Sequence, residues 1–398
     1  MKPLSKLASS VHASSTLAID SLYKSMKAQG IDVVGFGAGE PDFNTPDNIK
    51  EACIQALREN KTKYTAASGI MELKHAVCYR MKKDCGIEYE AENVLIASGA
   101  KHNVYLAVRA LVDPGDEVVI PAPYWVSYSE IVSMCGGIPV IAQTREADEF
   151  KLTPEELDAA ITDRTKLVLF NCPSNPTGMM YSAEELRALA DVCIRRDVYI
   201  ISDEIYYTLV YDGRKFVSLA ALGEDVKERT IVINGVSKSY AMTGWRIGYS
   251  LAPANITKVM SNYVSHSTAA PSTLSQWAAV EALTGPQDTV ESMRQAFEAR
   301  RNYIVERCNA IEGVSCLKPE GAFYIMMNIS KILGRSLDGE VIDSCDKFAQ
   351  LFLEKGLVAV VPGSGFDAPH FVRWSYATSM ENIKEGMDRL EKFLALLD

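Results

Sequence analysis

Polar side chains follow four apolar segments of the chain, at the point where each segment ends. These polar stretches include an amide (Asn175), a carboxylate (Asp203) and an amine (Lys238). If the apolar segments are parallel strands, their carboxyl ends meet at one rim, which is where open α/β sheets bind ligands. The pattern therefore predicts a ligand site at this rim, lined by an amide, a carboxylate, an amine and a loop of small residues. The four stretches are Ser98–Lys101, Asn171–Gly178, Ser202–Tyr206 and Asn234–Ser239.

Each of these residues has an ordinary structural interpretation when it is taken alone. A lysine after a strand is usually a solvated surface residue, and an aspartate there most often caps a helix. The stretch Asn175–Gly178 is first of all a turn, because Asn and Pro promote turns and Gly tolerates positive φ. The functional interpretation therefore depends on the ordered combination of all four stretches.

Six short apolar segments recur between stretches with helical spacing. Most are continuous and rich in Val and Ile, as expected of strands buried on both faces of a parallel sheet. Ala183–Arg196 has helical spacing and follows Ser182, a favourable N-cap. The alternation predicts an α/β fold with a mostly parallel sheet covered on both sides. The predicted strands are Val94–Ala97, Glu117–Ile120, Pro139–Ala142, Lys166–Phe170, Val198–Ile201 and Thr230–Ile233.

The C-terminal third has a different pattern, typical of a smaller α+β unit. Pro286–Cys308 predicts one long helix, a last helix begins near Met380, and the early apolar run Val33–Gly37 is expected to join this unit. We therefore expect a large domain over residues 46–285 and a small domain built from both termini, residues 1–45 and 286–398. The strand candidates of the small domain are Ala322–Asn328, Val358–Val361 and Phe371–Ala377.

The composition is ordinary for a globular protein. The 398 residues are 47% apolar and 23% charged, and a formal net charge of -10 argues against a nucleic-acid role. Nine cysteines are scattered without a CxxC pair, which indicates reduced thiols and not a disulfide framework. The N-terminus has no apolar core of a signal peptide, and no window is apolar enough for a membrane span. We expect a cytoplasmic protein.

An ordered set of motifs resembles class I aminotransferases over nearly the whole chain, and most closely the bacterial aspartate and prephenate aminotransferase subgroup. The resemblance implies the PLP-dependent transferase fold, in which helices sandwich a mostly parallel seven-stranded sheet. It also implies transamination by a ping-pong mechanism between an amino acid and a 2-oxo acid, with aspartate and 2-oxoglutarate the first choice. The motifs are Gly39–Phe43, Lys63–Thr65, Pro123–Trp125, Asn175–Gly178, Ser202–Tyr206, Ser237–Gly248 and Val372–Ala377.

The resemblance implies roles around the ring of pyridoxal 5′-phosphate (PLP). Lys238 matches the lysine that forms the Schiff base and then shuttles a proton. Asp203 matches the carboxylate that pairs with the pyridine nitrogen and so keeps the ring an electron acceptor. Asn175 and Tyr206 match the pair that hydrogen-bonds the 3′ oxygen. Trp125 matches the aromatic residue stacked on the ring.

The phosphate of PLP needs hydrogen-bond donors, and the resemblance implies several. Gly99, Ala100 and Lys101 are expected to open a helix whose backbone N–H groups face the anion. Arg246 matches the phosphate-binding cation, and Tyr64 matches a tyrosine that reaches the phosphate of the neighbouring subunit. The implied assembly is therefore a homodimer with a shared active site.

The substrate groups are also implied by the resemblance. Arg373 matches the arginine that binds the α-carboxylate in a bidentate pair, assisted by the backbone of Gly39 and the side chains of Asn175 and Trp125. A distal carboxylate needs a second cation. We name Lys101 for it, with help from residues near Ser14 and Thr16.

The sequence departs from the family pattern at two positions. Gly235 stands where many relatives carry a phosphate-binding serine, so Ser237 or Ser239 is the candidate replacement. His12 stands near the place where relatives that act on prephenate carry a lysine, which makes prephenate a less favoured substrate.

Other functions fit the sequence less well. The run Gly35–Gly39 has GxGxG spacing and precedes Glu40-Pro41, so it is not a dinucleotide fingerprint. Scattered Cys and His show no metal-ligand spacing. A carbon–sulfur β-lyase of the same fold, or an aminotransferase with aromatic, prephenate or broad specificity, stays an alternative. A non-catalytic binding protein is disfavoured because the lysine, the carboxylate and the arginine are all present.

Overall fold

A computed structural model describes residues 2–9, 11 and 15–398 of the chain. The strands of this part are β1 (Val34–Gly35), β2 (Val94–Ala97), β3 (Glu117–Ala122), β4 (Ile138–Gln143), β5 (Thr165–Asn171), β6 (Tyr199–Asp203), β7 (Thr230–Gly235), β8 (Gly248–Leu251), β9 (Tyr324–Asn328), β10 (Ser336–Leu337), β11 (Glu340–Val341), β12 (Val358–Ala359), β13 (Val361–Pro362) and β14 (Phe371–Ser375). The helices are α1 (Lys6–Ser9), α2 (Ser15–Ala28), α3 (Asp47–Arg58), α4 (Met71–Cys85), α5 (Ala100–Leu111), α6 (Ser127–Met134), α7 (Pro154–Ala160), α8 (Ala183–Arg195), α9 (Glu224–Lys227), α10 (Ala254–Ser267), α11 (Thr273–Thr284), α12 (Asp288–Ala310), α13 (Cys345–Gly356) and α14 (Met380–Leu394).

A seven-stranded sheet with the order β2-β8-β7-β6-β5-β3-β4 lies at the centre of the fold. Strands β3 to β7 pair in parallel, and β8 runs antiparallel to both of its neighbours, β2 and β7. The mostly parallel sheet with covering helices confirms the predicted fold class. The residues of β2, β7 and β8 are all buried, because packed helices cover both faces of the sheet.

All six apolar segments predicted as strands belong to this sheet, and their ends lie within two residues of the prediction. The helix predicted from Ala183 is confirmed. It begins after Ser182, whose hydroxyl accepts a hydrogen bond from the Glu185 backbone N–H in a capping box. Strand β8 was not predicted. It has only four residues, and it follows a polar loop without any apolar run of its own.

The smaller sheets join the two ends of the chain. Strand β1 pairs in parallel with β12, which confirms that Val33–Gly37 joins the C-terminal unit. The prediction of one strand over Val358–Val361 is wrong, since these residues divide between β12 and β13, and β13 pairs with β14 in a different sheet. The division into domains 46–285 and 1–45 with 286–398 stays a prediction.

Three parallel strands and one strand of a smaller sheet position the site. The carboxyl ends of β5, β6 and β7 lie side by side, and β14 brings Arg373 towards them.

Across residues 2–9, 11 and 15–398, no helix has the length and apolarity that crossing a membrane requires. A cluster of three or more potential metal ligands is likewise absent from these residues.

Candidate active site

A cavity of about 510 Å³ opens at the carboxyl ends of the parallel strands. Most of the residues predicted for the site line it, although they come from segments far apart in the chain. Its walls also include two residues of α2, Tyr23 and Lys24, and residues 37–40. The predicted residues in its lining are Gly39, Ala100, Lys101, Trp125, Asn175, Asp203, Tyr206, Ser237, Lys238, Arg246 and Arg373.

Lys238 lies three residues after the end of β7, and its side chain is half-buried. Its Nζ donates a hydrogen bond to the Gly39 carbonyl oxygen over 2.5 Å. The pKa of this amine is lowered to about 8, chiefly by burial; the Arg246 and Arg373 cations act in the same direction, and the Glu40 and Asp203 carboxylates oppose them. A lysine with such a pKa is partly unprotonated near neutral pH and is therefore a competent nucleophile.

Asp203 ends β6 and is buried. Its Oδ2 accepts a hydrogen bond from Tyr128 Oη at 2.7 Å, and its Oδ1 accepts one from the Ile205 backbone N–H at 3.2 Å. Burial raises the pKa of the carboxyl to about 6, although both hydrogen bonds and the Lys238 cation favour the charged form. Within the described residues, Asp203 has no salt-bridge partner. The carboxylate can therefore still gain from a cationic N–H group in the cavity.

Asn175 and Arg373 form one buried unit beside this carboxylate. Arg373 Nη1 donates to Asn175 Oδ1 over 3.0 Å and Nη2 donates to the Gly37 carbonyl oxygen over 2.9 Å. The backbone N–H of Asn175 is held in turn by Asn171 Oδ1 at 2.7 Å. Burial lowers the pKa of Arg373, and its Nε has no hydrogen-bond partner in the described part of the chain. A buried guanidinium without an anion is well suited to bind a carboxylate.

Tyr206 lies next to this unit, also buried. Its hydroxyl lies 2.9 Å from the Tyr324 hydroxyl, and burial raises the pKa of Tyr206 far above its usual range. Trp125 is half-buried on another wall and meets Tyr128 edge to face, with ring centroids 5.3 Å apart. Both aromatic side chains are therefore held by packing before any ligand binds.

The other end of the cavity is positive. Gly99 precedes α5 with a φ of 88°, and a Cβ added there would collide with the guanidinium of Arg246. Arg246 Nη1 donates to the Thr243 carbonyl at 2.8 Å and Nη2 donates to the Ser98 carbonyl at 3.3 Å. The free N–H groups at the start of α5 and this guanidinium together form a binding site suited to an anion.

Lys101 stands beside this anion site, in the first turn of α5. Its Nζ lies 4.7 Å from the ring centroid of Trp125. The side chain is exposed, yet the surrounding protein atoms partly desolvate the ammonium group and lower its pKa, and the Arg246 cation adds to this effect. Lys101 is therefore a further cation in the cavity wall, in addition to Lys238, Arg246 and Arg373.

The structure distinguishes between the two serines considered as replacements at Gly235. Ser237 lines the cavity, whereas the buried Ser239 Oγ bonds Thr208 Oγ1 at 2.8 Å and is not in the lining. A Cβ at Gly235 would lie 3.0 Å from both Gly248 Cα and the Ile247 carbonyl oxygen. The glycine is therefore favoured by the close approach of β7 and β8.

Some predicted residues are not in the cavity. Tyr64 is fully exposed and lies in a surface groove with Pro271 and Thr273. His12 and Ser14 lie outside the described residues, and so does the side chain of Thr16. The proposed contributions of these residues stay predictions.

Sequence reasoning missed three residues that the fold brings to the site. Tyr128 binds Asp203, and its spacing of three residues from Trp125, almost one helical turn, was the available signal. Tyr324 contacts Tyr206, but it stands in an apolar strand and carries no local signal. Glu40 accepts a hydrogen bond from Thr243 Oγ1 at 2.7 Å and places a negative charge near Lys238.

Comparisons with known proteins identify the relatives of the chain. The family model for aminotransferase class I and II matches residues 31–390. An aspartate aminotransferase of Geobacillus stearothermophilus is 49% identical over 98% of both chains. A probable aspartate/prephenate aminotransferase of Aquifex aeolicus is 45% identical over 99% of both. The solved structure of the Thermus thermophilus aspartate aminotransferase with maleate superposes with a TM-score of 0.93 at 39% identity, covering 98% of this chain and 100% of the other.

Proposed function

This chain belongs to the class I and II aminotransferases, enzymes that use PLP, and from that premise we propose that aspartate is its amino donor and 2-oxoglutarate its acceptor. One observation carries the choice of dicarboxylic substrates. Besides Lys238 and Arg246, which have roles toward the cofactor, the cavity lining contains Arg373 and Lys101, and neither has a salt-bridge partner among the described residues. The Geobacillus relative, which is 49% identical, is named aspartate aminotransferase.

The residues of the cavity fit PLP. Asp203 is a buried carboxylate whose pKa is raised by burial, and a protonated pyridine nitrogen would supply the cation that favours its charged form. At the other end, the missing Cβ of Gly99 lets the Arg246 guanidinium lie close to the N-terminus of α5, and this cation and the backbone N–H groups would hold a phosphate. Asn175 and Tyr206 lie between these two ends as donors for the 3′ oxygen.

PLP supplies an aldehyde that takes up the amino group and a ring that accepts the electrons released at Cα. Lys238 Nζ would hold PLP, and its amine would move the proton of the substrate Cα. Its pKa of about 8 suits both tasks, because a fraction of the amine is unprotonated at neutral pH. Asp203 would keep a proton on the pyridine nitrogen, and the hydrogen bond from Tyr128 orients Asp203.

Arg373 binds and orients the α-carboxylate of the substrate. Its Nη atoms are held by Asn175 and Gly37, so the guanidinium plane is set before substrate binds. Lys101 binds the distal carboxylate and thereby selects aspartate over amino acids with neutral side chains. The Thermus thermophilus relative was solved with maleate, a dicarboxylate, which supports this assignment.

The assembly that we propose is a homodimer in which Tyr64 completes the phosphate site of the partner. Tyr64 is fully exposed and shares a surface groove with Pro271 and Thr273, so its side chain is accessible to a partner subunit. Inactive Lys238→Ala protein and weakened Tyr64→Ala protein should regain activity when their subunits are mixed, because each hybrid contains one intact site. Failure to regain activity in a verified hybrid would leave Tyr64 without this role.

We also propose a cytoplasmic location. It is supported by the nine cysteines, all of them free in the structure. Fractionation of cells that express the protein tests this directly, and recovery from a secreted or periplasmic fraction would contradict it.

The first experiment is a spectrum of the purified protein, followed by addition of L-aspartate alone. Loss of the long-wavelength PLP absorbance with formation of oxaloacetate, and recovery on addition of 2-oxoglutarate, would support the proposal. A response to aromatic amino acids or prephenate but not to aspartate would overturn the substrate. Release of pyruvate and ammonia without an acceptor would indicate a carbon–sulfur β-lyase.

A further inference from the structure

Tyr324 contacts Tyr206 and Arg373, two residues to which the proposed function assigns roles, yet it has none itself. It begins β9, is fully buried, and pairs with Ser375 of β14. Its hydroxyl lies 2.9 Å from that of Tyr206, and the same hydroxyl would lie 3.0 Å from a Cβ added at Gly39. Its ring faces the guanidinium of Arg373, whose central carbon lies 4.5 Å from the ring centroid.

The two phenol groups share a limited number of protons. Each hydroxyl has one proton to donate, and its oxygen can accept further hydrogen bonds. If Tyr206 donates its proton to the 3′ oxygen of PLP, the hydrogen bond between the two tyrosines must run from Tyr324 to Tyr206. A hydroxyl that accepts a hydrogen bond becomes a stronger donor, since such chains polarise one another.

The ring of Tyr324 also bears on the orientation of Arg373. The guanidinium packs between the rings of Tyr324 and Phe366, with the Phe366 centroid 5.1 Å away. Hydrogen bonds to Asn175 and Gly37 hold two of its nitrogens. A desolvated guanidinium over an aromatic face gains energy from the ring quadrupole. The ring therefore limits tilting of the group that is to meet the substrate carboxylate.

We propose that Tyr324 is a positioning residue, whose hydroxyl donates to Tyr206 and whose ring face supports Arg373. This assignment rests on the proposed function, because it takes the roles of Tyr206 and Arg373 from it. It predicts two separable effects. The hydroxyl acts on the 3′ oxygen of PLP through Tyr206, and the ring acts on the carboxylate of the substrate through Arg373.

The hydroxyl is tested by titrating the absorbance of the PLP-loaded protein against pH. Tyr206→Phe removes a donor to the 3′ oxygen of PLP. The apparent pKa of the PLP absorbance change should therefore rise. Tyr324→Phe should raise it in the same direction by a smaller amount, about 0.3 to 1 unit. The double variant should match Tyr206→Phe alone, since the Tyr324 hydroxyl acts only through Tyr206. The titration is read as a difference between variants because Lys238, Asp203, Glu40, Arg246 and Arg373 also face this region.

Tyr376→Phe is the matched control. Tyr376 is equally buried and belongs to the same core cluster, but its hydroxyl donates to the Ala322 carbonyl at 3.2 Å. This variant should titrate like the unmodified protein. An unchanged titration in Tyr324→Phe, or additive shifts in the double variant, would overturn the hydroxyl role. If Tyr206→Phe also leaves the titration unchanged, the role of Tyr206 fails and the hydroxyl role of Tyr324 fails with it; if no PLP binds, the proposed function itself fails.

The ring is tested by the binding of succinate, a dicarboxylate without an amino group, to the same PLP-loaded proteins. Tyr324→Phe keeps the ring and should bind succinate within about threefold of the unmodified protein, whereas Tyr324→Leu should bind it about 3- to 30-fold more weakly. Melting temperatures identify a leucine variant that fails to fold, in which case the phenylalanine variant still tests the hydroxyl. Equal weakening in both variants, or none in a folded leucine variant, would overturn the ring role.

Discussion

Replacement of Arg373 by leucine gives the strongest test of the carboxylate site. The side chain is 3% exposed, its Nη atoms are held by Asn175 and Gly37, and two rings pack against its faces. Leucine removes the charge and both donors but retains an apolar side chain of moderate size. We expect the protein to fold. Asn175 Oδ1 and the Gly37 carbonyl oxygen, which lose their donor, should accept hydrogen bonds from water instead.

The size of the expected fall in kcat/KM follows from the loss of a buried charge pair between Arg373 and the substrate carboxylate. Breaking a desolvated, hydrogen-bonded pair between guanidinium and carboxylate costs on the order of 2–5 kcal/mol. At about 1.4 kcal/mol for each factor of ten, kcat/KM for aspartate should fall about 30- to 4,000-fold. The loss should extend to every amino-acid donor, since all of them carry the α-carboxylate. The kcat/KM of Arg373→Lys should lie between those of the unmodified protein and Arg373→Leu, because an ammonium group keeps the charge without the bidentate geometry.

Steady-state kinetics with aspartate and with alanine measure this loss, and PLP content is measured in parallel. The control is Arg80→Leu, because Arg80 is also 3% exposed but bonds Leu283 and Asp84 outside the cavity. It should lower stability and leave KM for aspartate unchanged. A kcat/KM within threefold of the unmodified value in folded, PLP-loaded Arg373→Leu protein would remove Arg373 from the substrate site.

Three further predictions concern single side chains. Lys238→Ala should abolish turnover and the covalent attachment of PLP while circular dichroism shows an intact fold; multiple turnovers would refute the assignment. Lys101→Ala should lower kcat/KM for aspartate at least tenfold more than for alanine, and equal losses would indicate a cofactor role instead. Asp203→Asn should weaken PLP binding, yet above pH 6 it should stabilise the cofactor-free protein against urea by up to about 3 kcal/mol. The sign follows from the raised pKa of Asp203, about 6 against the usual 3.8: the folded carboxyl binds its proton more tightly than the unfolded one, so stability is lost as pH rises from about 4 to 6. The gain should vanish below about pH 4, and a pH-independent gain would refute this explanation.

The sequence by itself determined the class of fold and most of the candidate site. Continuous apolar runs such as Val198–Ile201 predict buried parallel strands wherever they pack, because a strand covered on both faces needs apolar side chains at every position. The polar residues directly after these runs, Asp203 and Lys238 among them, are placed at one rim by strand direction alone. That is why they were predicted without any knowledge of distances.

The tertiary structure alone decided which segments that are distant in the chain come into contact. Strand β8 exists because Gly248, which has no Cβ, lets its backbone pass against Gly99 and Ala100. Tyr324 reaches Tyr206 from 118 positions away, and Arg373 reaches Asn175 across 198. Spacing along a chain gives the direction and the face of each residue within its own element. Which elements meet, and therefore which hydroxyl or guanidinium lies at 3 Å from another group, depends on the packing of the whole core.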